Sequence, residues 1–186
     1  MTMLRHVKTG HDSALLMSAY TLKAEVRGGS VSTLKGEEGT PREQAEERLY
    51  KVGDKVVIPA PNLFAAIIAA GRFQKVGASK LTTIKSSVIP GSLALVEPYF
   101  VIDPQEWEVD VRAIRNKNGE AIPVCRPRFD KWSIEFTLEI DDNDLSERVV
   151  RRLVDDAGKK IGLCSFRPST KGPYGRFHVV EWREVG

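Results

Sequence analysis

The chain has 186 residues, 41% of them apolar, two cysteines, and a formal net charge of +3. That length suits a single domain, 1–186, with some embellishment, and the apolar share suffices for a packed core. Cys125 and Cys164 make no disulfide framework and sit in no metal-ligand spacing with His6, His11 or His178, which excludes a zinc module and implies no metal. The opening stretch MTMLRHVKTGHDSALLMSAY lacks a secretory core, and no apolar run reaches membrane length. The expectation is a reduced, cytoplasmic protein without a membrane.

Residues 1–12 read as a tail or edge segment, and 14–28 as the first strand, ending at Gly28 and Gly29. Residues 28–49 are polar and rich in glutamate, a long loop of the kind that usually carries function. In VVIPAPNLFAAIIAAGRF, Val56 to Ile58 are extended and Pro61 suits a first helical turn. Leu63, Phe64, Ile67, Ile68 and Ala70 then make a buried helix closed near Gly71. Residues 92–102 form a strand, with Pro98 marking an edge or bulge.

Residues 107–128 predict a hairpin whose turn is NKNGE, with Asn118-Gly119 as its signal. Along 131–140, Trp132, Ile134, Phe136, Leu138 and Ile140 alternate with polar residues, the cleanest strand in the chain. Asp144 is placed to cap the next helix, with Glu147 completing a capping-box-like pair. Leu145, Val149, Leu153, Val154 and Ala157 give its buried stripe, and Gly158 its end. A short strand at 161–165, a glycine-rich loop and a last strand at 175–183 finish the chain. The predicted class is α+β: a ferredoxin-like or RRM-like βαββαβ antiparallel sheet with two helices on one face and an inserted β-hairpin.

Charge is segregated along this order. No Asp or Glu falls between Asp54 and Glu97, where Arg72, Lys75, Lys80 and Lys85 lie. None falls between Asp156 and Glu181, where Arg167, Lys171 and Arg176 lie. The hairpin adds Arg112, Arg115, Arg126 and Arg128, the last with Asp130 nearby to pair with it. Clustered cations on a mildly charged chain point to a local anionic partner.

Two segments carry a resemblance. IPAPNLFAAIIAAGRF resembles the stretch that opens the first helix in the RAMP superfamily of CRISPR-associated proteins. AGKKIGLCSFRPSTKGPYGRFHV resembles that superfamily's glycine-rich C-terminal loop, with Gly162, Gly172 and Gly175 in matching places. The first segment lacks the usual Gly-Ser-Ser, and FRPSTK stretches the loop, as in a compact relative, of phage or prophage type. The resemblance implies an RNA-binding subunit, with copies assembling as a homo-oligomer along a guide or other small RNA, with or without a complementary target. It also implies that the 107–128 hairpin acts as a thumb pressing on the RNA.

The residues support such chemistry. Glycines let backbone N–H groups approach phosphate, and Arg167, Lys171 and Arg176 add charge around Gly172. Tyr174 is the surface aromatic best placed to stack on a base, while Phe166 and Phe177 read as core. No nucleophilic triad, metal spacing or phosphate-binding loop appears, and 28–49 holds no Asp, only Glu37, Glu38, Glu43, Glu46 and Glu47. No catalytic residue and no cofactor is assigned, and the expectation leans to a binder over an enzyme. Two alternatives stand: a metal-independent RAMP-type RNA-processing ribonuclease, with His11 or His178 as acid-base groups, and a phage protein that binds single-stranded nucleic acid without sequence preference or serves DNA metabolism.

Overall fold

The computed structural model describes residues 2–19, 39–115 and 118–185. Its main sheet starts at β1 (Thr2–His11), read from sequence as a tail or edge segment but lying between two other strands of the sheet. Inward positions Arg5, Val7 and Thr9 are buried. Two polar residues among them break the apolar alternation that marks a strand in sequence. Arg5 is accommodated by a carboxylate, and Thr9 Oγ1 meets the Ile134 carbonyl at 3.2 Å. Of the strand expected over 14–28, Leu15–Leu16 form a two-residue strand, β2, and 20–28 lie outside the described residues.

Within the predicted loop 28–49, Pro41–Glu46 form a helix, α1. Thr40 caps it: its hydroxyl accepts from the Glu43 N–H at 3.3 Å, and its own N–H donates to the Glu43 carboxylate at 2.7 Å. Strands β3 (Lys51–Val52) and β4 (Lys55–Pro59) lead into α2 (Ala60–Ala70). A small ribbon follows, β5 (Lys75–Val76) with β6 (Ser79–Lys80), then a short helix α3 (Ile89–Ser92). The single strand expected at 92–102 is two, β7 (Leu93–Leu95) and β8 (Tyr99–Val101), split before Pro98 and paired to different partners. β7 joins the main sheet, and β8 joins β4.

The hairpin is β9 (Glu108–Arg115) and β10 (Ala121–Phe129), paired from Ala121 against Arg115 to Arg128 against Glu108. Its base is core: β10 also pairs with β2, and Val124, Cys125 and Phe129 are buried. Strand β11 runs Glu135–Asp141, starting later than the alternation suggested, with Trp132 buried ahead of it. Helix α4 is Glu147–Asp156, with Ser146 in the position ahead of it making no side-chain cap, and the Asp144–Glu147 pair expected from sequence does not form. The reason lies in their partners: Asp144 accepts from Ser92 Oγ at 3.2 Å, and Glu147 turns to Arg5 at 2.7 Å. The helical path continues past Gly158 as a wide turn, Ala157–Ile161. Finally β12 is Phe177–Glu184.

The main sheet has the order β12-β1-β11-β7, antiparallel throughout. Val7, Phe136, Leu138, Ile140, Phe177 and Val179 share one buried cluster with Leu63 and Ile67 of α2 and Val150, Leu153 and Val154 of α4. Each such side chain stabilises the fold by about 1.5–3 kcal/mol on burial. The opposite face alternates His6 and Lys8 with Glu135 and Glu139, and Lys8 pairs with Glu135 at 2.8 Å. It presents no Phe, Tyr or Trp among the described residues of these strands. These described strands thus offer there no Phe, Tyr or Trp for bases to stack on in the manner of an RRM. The fold class is thus α+β, with antiparallel sheets and two main helices.

No strand forms at 161–165. The backbone turns left-handed at Gly162 (φ 75°), Cys164 (φ 59°) and Phe166 (φ 49°), which breaks any ladder. Lys171 (φ 64°) and Gly175 (φ 72°) follow. A left-handed residue other than glycine costs about 1–3 kcal/mol and persists only where its surroundings hold it. They do here: Ser165 N–H donates to the Leu16 carbonyl at 2.8 Å, Leu163 N–H to Gly175 at 2.9 Å, and Gly175 N–H to Ala14 at 2.8 Å.

Candidate nucleic-acid interface

A cleft of about 770 Å³ opens between α2, the hairpin and the glycine-rich loop. Arg72, Arg112, Arg126 and Arg167 line it, and among the described residues no carboxylate does. Arg72 comes from the turn after α2, and its Nε donates to the Ala69 carbonyl at 2.9 Å. Arg167 is braced inside its loop, donating to the Cys164 carbonyl at 2.7 Å and to Ser169 Oγ at 2.9 Å. Arg112 is held from behind by buried Asp110, with Nε to Oδ1 at 2.6 Å and Nη2 to Oδ2 at 3.0 Å. Those bonds raise its already high pKa and keep it charged. The same guanidinium donates to the Tyr174 hydroxyl and lies 4.8 Å from that ring's centre.

Backbone packing sets the loop's shape. A Cβ on Gly172 would sit 1.8 Å from the Phe166 carbonyl oxygen, and one on Gly175 would sit 2.1 Å from that of Leu163. Only glycine allows these approaches. Phe166, read from sequence as core, is 41% exposed, with its ring 6.0 Å from that of Tyr174. Phe177 is buried. Burial pushes the Cys164 thiol up to about 12.

A second hollow of about 630 Å³ adjoins the first, sharing Ala69 and Arg72. Lys80, Lys85, Thr82, Thr83 and a fully exposed Ile84 complete it, again without a carboxylate among the described residues. Lys75 stands directly opposite Lys80 across the β5–β6 ribbon. Facing like charges are destabilising without an anion between them.

The remaining sequence candidates lie outside both hollows. Arg128 is surrounded by acids, Asp130 at 2.8 Å, Glu108 at 3.3 Å and Asp110 at 3.8 Å. Arg115 donates to the Gly119 carbonyl at 3.0 Å near the hairpin tip. Lys171 is exposed on the far turn of the loop, and Arg176 is half-buried with its N–H on Ser13 Oγ at 3.0 Å. His178 meets Asp12 at 2.7 Å beyond the cleft lining. Sequence reasoning missed Ser18, Tyr50 and Asn62, which add polar groups to the cleft wall. Of these, only Asn62 was signalled, by its place in the first turn after Pro61.

No group of three or more His, Cys, Asp or Glu side chains that would hold a metal occurs among the described residues. No described helix is long and apolar enough to cross a membrane.

No family model matches the chain, and no curated protein does. Solved structures do match it. A chain in the cryo-EM structure of the Type III-B Cmr-beta bound to cognate target RNA superposes with a TM-score of 0.52 at 14% identity, over 99% of this chain. This chain spans 61% of the length of that one. Cmr6 from Pyrococcus furiosus aligns with a TM-score of 0.45 at 12% identity, over 96% of this chain and 99% of that one. The chain is therefore similar in fold, over nearly its whole length, to a component of the Type III-B Cmr-beta complex.

Proposed function

We propose that this protein is a single-domain RNA-binding subunit of a CRISPR-type ribonucleoprotein, and that its RNA lies in the arginine cleft and the adjoining lysine hollow. The observation that carries this reading is the convergence of Arg72, Arg112, Arg126 and Arg167 on one cleft with no lining carboxylate among the described residues. Forked guanidiniums hold phosphates, and a cleft lined by one sign of charge raises the local concentration of a polyanion. Sheet order β12-β1-β11-β7, with α2 and α4 on one face, supports a split βαβ core of the ferredoxin type. On this reading the tip of β9–β10 is the thumb and the base of the hairpin is scaffold. Copies assemble head to tail along a guide or small RNA.

Binding is tested by fluorescence anisotropy with a labelled single-stranded RNA and competing single-stranded DNA. Binding to RNA that weakens when Arg112 and Arg167 are both replaced by Ala supports the proposal. Equal competition by DNA moves the reading to a general single-strand binder. Light scattering before and after nuclease treatment tests assembly: RNA-held oligomers fall to monomer, whereas a monomer unchanged by added RNA rules the array out.

A further inference from the structure

Phe73 closes the turn after α2 and is 46% exposed. It takes no part in the buried core. Two cations from different elements converge on its ring: Lys160 Nζ at 4.6 Å from the centre, and the Arg72 guanidinium at 5.5 Å. The nearby acid, Asp156, is engaged by Lys160 at 2.7 Å and by the Gln74 amide. Arg72 is also shared, with Ala69, by the two cation-lined hollows. An open aromatic bracketed by cations, next in sequence to the Arg72 that lines both hollows, combines the two elements of single-strand recognition: a stacking surface and charge for the flanking backbone.

We propose that Phe73 is a stacking platform for one unpaired base of a bound single strand, with Arg72 and Lys160 on its flanking phosphates. This rests on the reading of the cleft as an RNA site, and it assigns a subsite outside the cleft lining. A simple cation–π pairing accounts for each cation singly. It does not account for an exposed ring that gathers two of them beside Arg72's hollows.

The test uses Phe73→Leu and Phe73→Trp in the full chain, with labelled single-stranded RNA of mixed sequence and the same sequence as duplex. Phe73→Leu is expected to lose about tenfold in affinity for the single strand, whose bases are free to stack, and to leave duplex binding unchanged. Phe73→Trp is expected to keep wild-type affinity, and its added indole emission is expected to be quenched by single strand and not by duplex. Wild-type affinity in Phe73→Leu, or unquenched emission in Phe73→Trp, while the Arg112 and Arg167 double variant still weakens binding, overturns the platform and leaves the cleft standing. If the wild-type protein binds neither RNA, the cleft reading falls and the platform with it. Unchanged thermal transitions confirm the fold; should Phe73→Leu fail to fold, the quenching in Phe73→Trp decides.

Discussion

Removing the Glu147 carboxylate is predicted to loosen the fold through Arg5. Arg5 as a residue is only 7% exposed and lies on the inward side of β1. Glu147 takes Arg5 Nε at 2.7 Å and Nη2 at 3.0 Å, and also accepts from Trp182 Nε1 at 2.6 Å. One carboxylate thereby ties α4 to both β1 and β12. In Glu147→Ala the guanidinium keeps the Leu4 carbonyl at 3.0 Å and a rim contact to Glu184 at 3.5 Å, a poor replacement. A hydrogen bond to a charged group contributes about 1.5–3 kcal/mol, and the 37% exposure of the Glu147 side chain lets water compensate part of the loss. The net expectation is about 2–3 kcal/mol, or roughly 4–12 °C in Tm for a chain of this length. Arg5→Met combined with Glu147→Leu should recover most of it, because no buried charge is then left unpaired. The bonds from Arg5, and then from Trp182, hold the Glu147 pKa below its ordinary value of 4.5. A depressed carboxylate stabilises above its unfolded pKa and loses that contribution as pH falls through its folded pKa. The difference between wild type and Glu147→Ala should therefore be full at neutral pH and shrink below about pH 4.5. Differential scanning calorimetry across that range checks both. A Tm shift under about 2 °C at neutral pH, or a difference unaltered by acid, refutes the reasoning.

Gly172→Ala places a methyl against the Phe166 carbonyl and should cost about 1–3 kcal/mol and weaken RNA binding, read by thermal melts and anisotropy. Asp110→Asn removes the carboxylate behind Arg112, so RNA binding should tighten and its salt dependence steepen, provided the thermal transition shows a folded protein. Arg128→Ala should leave RNA affinity within about twofold, since acids already surround its charge, and weak surface ion pairs contribute only about 0–1 kcal/mol. Replacing the hairpin tip between Arg115 and Ala121 with a tight turn should preserve the melt and abolish RNA-dependent oligomers in light scattering, because the buried residues lie nearer the hairpin base.

What was legible in sequence follows from which forces are local. Helix α2 announced itself through Pro61 and the spacing of Leu63 and Ile67, and β11 through strict alternation from Ile134 to Ile140. Asn118-Gly119 marked the hairpin turn. Strand β1 was hidden because Arg5 and Thr9 occupy inward positions, and only tertiary partners make that tolerable. The Thr40–Glu43 capping box was readable and was lost inside a glutamate-rich run. The apolar stretch at 161–165 imitated a strand, but Cys164 and Phe166 adopt left-handed angles that no local propensity foretells. The cations were equally visible; their sorting was not. Arg72, Arg126 and Arg167 come from three distant parts of the chain, and only folding decides that they meet while Arg128 is neutralised.

The slope of log affinity against log salt for single-stranded RNA tests the central claim most directly. Each phosphate contact in a single strand contributes about −0.7 to that slope through counterion release. If the four arginines of the cleft hold phosphate, the wild-type slope is steep, and replacing Arg112 and Arg167 together makes it shallower by about 1.4. A flat wild-type plot, or a slope that the double replacement does not change, contradicts the account.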